Sequence, residues 1–301
     1  VIIPIIDYLV GVDVTNPASE KEEKRMSSLW RYRIWLLMWV PLAVLILLSV
    51  LPLCSTLSRR YSLYSTFFAV IAMGLANGLG ANVAHELIHK NGFERICGRL
   101  LMVLICYGHF EIEHLYGHHK RVATPEDPAT ASRGQTFYSF WAQSVFGGWR
   151  SAWEIETVRC NSFRFPLFHN RCFRTTCYSL AIAMYIYMRL GPSSLLAFFC
   201  QSFVAISLLE VVNYIEHYGL LRRQIPAEDG TLKYEPVSDS HSWDSAARIT
   251  NYLLFQLQRH ADHHKNPLRR YQILHHTKDA PQVCFPINQT IKVRSFFISN
   301  D

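Results

Sequence analysis

Charge is scarce in this sequence. Only 18% of its 301 residues are Asp, Glu, Lys or Arg, against roughly 25% in an ordinary soluble domain, and half are hydrophobic, which excludes intrinsic disorder. No C-x-x-C spacing occurs among the eight cysteines, so neither a zinc ribbon nor a four-cysteine iron site is built in. The thiols read as scattered and reduced. Internal repeats, low-complexity tracts and a signal peptide are also missing. A mean hydropathy of +0.07 is too polar for a bundle of spanning helices alone and too apolar for a typical cytosolic enzyme. A membrane protein with a sizeable aqueous-side portion fits. The net charge of +7 leaves nucleic acid, anionic lipid and an acidic protein as partners for the rest of the sequence to choose among.

Uncharged runs supply the membrane portion. Ile34 to Leu53 holds 20 residues without a charge, about the 30 Å of a hydrocarbon core, and Ser62 to Ala84 gives a second run of 23 after a short loop with Arg59 and Arg60. Two weaker spans are expected at 172–190 and 195–212, split by the turn Gly191-Pro192-Ser193-Ser194. Cys97 to Phe110 is too short to span and reads as a buried or interfacial helix. The fold expected is all-α, a single membrane-embedded domain over 1–301. The second and fourth spans run into His85 and His217, which puts both exits on one side. Lys21, Lys24, Arg25, Arg31, Arg33, Arg150, Arg159, Arg164, Arg171 and Arg174 crowd that side, which the positive-inside rule makes cytoplasmic. Residues 111–171 and the tail after Leu220 then form a cytoplasmic cap.

Histidine is what the sequence has in excess, with 14 in all, most of them in four groups. In HELIHK, His85 and His89 stand four apart and share a helix face. EHLYGHH repeats that spacing with His114 and His118 and adds His119. QRHADHH supplies His260, His263 and His264, and NYIEHYG supplies His217. Nine such rings are too many for one ion and suit two. HELIH also matches the zinc-protease motif, with Glu86 as would-be base, but that reading leaves six histidines unexplained. Imidazole without thiolate suits iron as well as zinc. A nitrogen-rich pair of metals, placed where apolar molecules dissolve, points to oxygen activation and attack on an unactivated C–H bond. An acidic residue adjoins each group (Glu86, Glu113, Glu216, Asp262). These carboxylates are read as acceptors for the outer ring N–H, with direct metal binding or surface pairing as alternatives. His109, His275 and His276 are read as lying outside the ligand set, and His169 and His241 as surface residues.

Taken together, HELIHK, EHLYGHH with the following TPEDPA (Thr124 to Ala129), NYIEHYGL and LQRHADHHKNPLRRYQIL resemble, in order and spacing, the signature boxes of the integral-membrane alkane 1-monooxygenase family. That family lies within the membrane desaturase and hydroxylase superfamily. The resemblance spans about residues 4 to 282, including DYLVGVDVTNP. It implies that His85, His89, His114, His118, His119, His217, His260, His263 and His264 bind two non-haem irons. It also implies a medium-chain n-alkane hydroxylated at its terminal carbon with O2, and electrons arriving from rubredoxin, itself reduced by rubredoxin reductase. The expected setting is a bacterial-type inner membrane. Against the family's pattern, two earlier spans are missing before DYLVG, and the sequence diverges over 284–301, where Asn288-Gln289-Thr290 is formally a glycosylation acceptor. Rival readings are a xylene-type monooxygenase, a fatty-acyl desaturase or hydroxylase, and an inactive truncated membrane protein.

Two further expectations concern access. On a helix leading into the last box, Leu253, Leu257, His260 and His264 fall on one face, so the two leucines are expected to line an apolar substrate channel or to pack ordinarily. Lys90, Lys120, Arg121, Lys265, Arg269 and Arg270 follow histidine boxes and are expected to dock an acidic electron carrier, with lipid headgroups as the competing partner. Nucleic acid is not expected for residues tied to a membrane surface.

Overall fold

A computed structural model describes residues 2–60 and 63–283. Ser62, the side chains of Arg59 and Arg60, and the divergent segment 284–301 with its Asn288 acceptor lie outside the described residues.

Helices dominate. In chain order they are α1 (Ile2–Val10), α2 (Glu20–Ser28), α3 (Trp30–Leu37), α4 (Trp39–Arg60), α5 (Leu63–Ile88), α6 (Phe93–Leu104) and α7 (Phe110–Ile112). A π-helical turn at Glu113–His118 follows, then α8 (His119–Arg121), α9 (Phe137–Ser162), α10 (Arg171–Leu190), α11 (Pro192–His217), α12 (Arg248–Leu253) and α13 (His260–Lys265). Among the described residues the sheet is one antiparallel hairpin, Gln224–Pro226 with Leu232–Tyr234.

Among the described residues, three helical stretches are long and apolar enough to cross a membrane: Trp30–Ser55, Leu63–Ile88 and Pro192–His217. The expected span at 172–190 does form a helix, α10, but Arg171, Arg174 and Arg189 leave it less apolar than these three. Its outward face still carries Leu180, Met184, Tyr185 and Met188. The stretch from Cys97 forms the C-terminal part of the 12-residue α6, which buries Cys97, Gly98, Leu101 and Met102 against α5.

The bundle core is built where α5 meets α4, α6 and α11. Gly74 and Gly78 let α11 approach closely: a Cβ on Gly74 would lie 2.5 Å from Val204 Cβ, and one on Gly78 would lie 2.8 Å from Leu208. Such close contact is the usual way to bind apolar helices when lipid is as apolar as their side chains. Asn77 Nδ2 donates to Gln201 Oε1 at 2.9 Å across the same contact. As a result the C-terminal ends of α5 and α11 are held side by side, and both carry histidines.

Candidate metal centre

Four segments bring the histidines together. His85 lies in the last turn of α5 and His89 just beyond it; His114 and His118 come from the π turn; His217 ends α11; and His260, His263 and His264 come from α13. The result is two groups of four, His85, His89, His114, His263 and His118, His217, His260, His264, each offering one atom per residue with all four atoms within 4.8 Å of one another. His119 lies between the groups, its ring centroid 4.6 Å from His114 and 4.5 Å from His264. All eight grouped rings are buried.

The assignment of rings to groups does not follow box order. His114 and His118 come from one box yet join different groups, because the backbone between them is a π turn, whose extra residue per turn re-aims the rings. Gly117 makes the turn possible: a Cβ there would meet Glu113 Oε1 and Arg121 Nη2, both at 2.5 Å, so the Glu113–Arg121 pair (2.7 Å) would have to open.

Nε2 atoms converge on the interior. His114 Nε2 is 2.9 Å from His89 Nε2, His260 Nε2 is 3.1 Å from His217 Nε2, and His264 Nε2 is 3.0 Å from His260 Nε2, while His85 Nε2 and His263 Nε2 are buried with no hydrogen-bond partner. Imidazole nitrogens pointed at each other in a dry interior lack enough protons and acceptors to satisfy the set. Burial also holds His89, His114, His119, His260, His263 and His264 well below the usual imidazole range, so these rings are neutral and keep the lone pair a metal needs. The donor set therefore fits two metal ions.

The neighbouring carboxylates are placed differently from expectation. Glu86 is taken by Lys90 Nζ (3.0 Å) and the Tyr271 N–H, Glu113 by Arg121, and Asp262 by Arg269, Asn266 Nδ2 and the His275 N–H. None of the three accepts from a boxed ring. A residue next to a histidine on a helix points about 100° away from it, so adjacency in sequence sends the carboxylate elsewhere. Glu216 is the exception: its Oε2 lies 3.4 Å from His260 Nε2, on the interior side of the ring, and its Oε1 is buried without a partner. The outer ring nitrogen of His118 is instead held by Asp127, Oδ2 to Nδ1 at 2.9 Å. Asp127 is fixed in turn by Thr130 Oγ1 and the Ala129 N–H. The sequence reading missed it, although TPEDPA directly follows the box. It also missed Asp244, whose Oδ1 accepts the Ala261 N–H at 2.8 Å and orients α13; burial pushes this carboxyl up to about 7.

Two other expectations are corrected. The helix thought to carry Leu253, Leu257, His260 and His264 is broken between α12 and α13 by Phe255 and Gln256, with φ of 51° and 58°, and by the Gln256 N–H bonding back to the Asn251 carbonyl. The four residues share no helix face: Leu253 is exposed and Leu257 buried. Of the six bases read as a docking surface, four are tied up in the fold. Lys90 is buried and also donates to the carbonyls of Leu268 and Arg269; Arg121 binds Glu113 and Ser151; Arg269 binds Asp262 and Arg270 binds Glu94. Lys265 is outward and paired with Asp239, and Lys120 is exposed. His241 is buried, accepting the Ser238 N–H at 2.9 Å, whereas His169 is exposed. His275 pairs with Glu23, and the His276 N–H donates to Asn16.

Comparison with known proteins identifies the family. Residues 61–286 match the fatty acid desaturase family. The alkane 1-monooxygenase of Acinetobacter baylyi is 40% identical over 287 residues, covering 94% of this chain and 68% of that protein. The chain belongs to the alkane 1-monooxygenase family. Alkane 1-monooxygenase 2 of Pseudomonas aeruginosa is 37% identical over 289 residues, with 94% and 74% covered. A xylene/toluene monooxygenase hydroxylase component of Pseudomonas putida is 29% identical over 211 residues, with 67% and 55% covered. Membership makes this chain an oxidoreductase, and these two alkane 1-monooxygenases match 94% of its length.

Proposed function

We propose that this protein hydroxylates medium-chain n-alkanes at the terminal carbon, using O2 and two non-haem irons held by the nine boxed histidines. The observation that carries the reading is the pair of buried four-histidine groups at the ends of two apolar helices. Bound there, two irons would supply the oxidising power for attack on an unactivated C–H bond, which no side chain has. The chain's own residues prepare the place. Eight Nε2 or Nδ1 lone pairs converge from four segments, Asp127 holds the Nδ1 proton of His118 so that its Nε2 faces inward, and the packed core around His85 and His217 excludes water. Arrival of the alkane from lipid suits a centre at the membrane end of α5 and α11. Rubredoxin, reduced by its reductase, is the electron donor in this reading, approaching from the cytoplasmic side of a bacterial-type inner membrane.

Cells expressing the chain and fed hydrocarbons of graded length, with xylene alongside, test the substrate by gas chromatography. Primary alcohols from medium-chain alkanes are expected. Methyl-group oxidation of xylene with no alkane product would move the assignment to the xylene-type enzymes.

A further inference from the structure

A buried acid that the metal-binding scheme leaves unused lies beside the centre. Glu210, on α11 two turns before His217, is 1% exposed inside one of the most apolar helices of the chain. The Tyr107 hydroxyl bonds its Oε1 at 2.9 Å and Asn213 Nδ2 donates to its Oε2 at 3.3 Å. Burying a carboxyl in such a helix costs several kcal/mol unless it has partners, and ionisable groups at membrane depth are usually retained for function.

A cavity of about 20 Å³ separates this acid from the histidines. His114 and His118 line it together with Tyr107, His109, Glu113 and Glu210, among others. It has room for one water molecule. Two atoms of its lining residues, His109 Nε2 and Glu113 Oε2, are buried with no protein hydrogen-bond partner, so a water there would have polar groups to bind. No Lys or Arg lines the cavity. Glu113 has one oxygen held by Arg121 and the other without a protein partner.

We propose that Glu210 feeds protons to the metal centre through a single water held in this cavity. The inference rests on the hydroxylation reading, in which an alkane, O2, two electrons from the donor and two protons give an alcohol and water. The electrons arrive from the carrier, but the protons must also reach the face of the centre at His114 and His118, which are buried. As the carboxyl O–H of Glu210 breaks, an O–H bond forms on the cavity water, and that water passes one of its own protons to the oxygen being reduced beside His114 and His118. The carboxylate is then reprotonated past Asn213, which is partly exposed. Two such transfers complete one turnover.

The test uses the full chain in lipid nanodiscs, loaded with iron, as wild type, Glu210→Gln and Glu210→Asp. With Glu210→Gln, iron content should stay at the wild-type level while alcohol formation falls about 100-fold, the usual size of a lost general acid. Oxygen consumption should continue with its electrons diverted to hydrogen peroxide. Glu210→Asp, which keeps a carboxyl, should recover part of the coupling. Independently of turnover, the difference between infrared spectra of the iron-free wild type and Glu210→Gln, both carrying 13C-labelled glutamate, should contain a protonated-carboxyl component that shifts in D2O. Wild-type coupling in Glu210→Gln, equal loss of iron in both variants, or no exchangeable carboxyl component in the difference between wild type and Glu210→Gln would overturn the proposal. An exchangeable component in that difference, with a wild type that makes no alcohol from any hydrocarbon, would overturn the hydroxylation reading, and this inference with it.

Discussion

The two histidine groups offer the same ligand type in different surroundings. The second group, His118, His217, His260 and His264, has carboxylates against it: Asp127 on His118 Nδ1 and Glu216 Oε2 at 3.4 Å from His260 Nε2. The first group, His85, His89, His114 and His263, has no carboxylate on a ring nitrogen among the described contacts; Phe110 stacks on His114 at 5.0 Å, and a 220 Å³ cleft lined by His89 and His119 opens outward beside it. An imidazole that donates to a carboxylate is a stronger and better-oriented ligand, and nearby negative charge favours a cation. As metal sites the two groups are therefore inequivalent, and the second is expected to bind more tightly.

Removing one ring from each group makes the most severe break in that comparison. His118→Ala and His263→Ala should each abolish hydroxylation, and each should lower bound iron, His118→Ala more. Full iron in either variant, measured by elemental analysis, would contradict the grouping. Asp127→Ala should act on the second group alone, lowering iron affinity or activity about 10- to 100-fold, whereas Asp262→Asn, though next to His263, should cost less because that carboxylate faces Arg269; iron titration of the two variants decides. Glu156 lies outside both groups. Its carboxylate, held by Arg159 and Arg171 and by the Arg171 N–H, is lowered to about 2 although its burial opposes the shift. A depressed folded-state pKa stabilises above the unfolded value near 4.5 and stops doing so as pH falls through about 2. Glu156→Gln should cost about 3 kcal/mol at neutral pH, with the difference from wild type closing between those values in thermal unfolding, and should leave iron stoichiometry unchanged. His169→Ala, at an exposed ring, should alter neither iron nor product.

The parts of this arrangement that could be read from the chain are those written as local runs. Trp30–Ser55, Leu63–Ile88 and Pro192–His217 show as apolar stretches because lipid demands continuous apolar length, and the histidines show because they cluster. Long-range backbone events were not visible. Nothing in EHLYGHH announces a π turn that parts His114 from His118, and nothing in Leu253 to His264 announces left-handed residues at Phe255 and Gln256, since both depend on what packs against them. Carboxylates and bases were misread for the same reason. Lys90 and Arg269 look like free charges in sequence, but the pairing that consumes them comes from the fold, and Asp127 finds His118 only because the TPEDPA loop turns back onto it.

Mössbauer spectroscopy of the 57Fe-loaded protein tests the central claim most directly. Two irons per chain in two distinct quadrupole doublets of equal area are predicted, with His118→Ala removing chiefly one of them. A single iron per chain, or alcohol formation by protein that holds none, would contradict it.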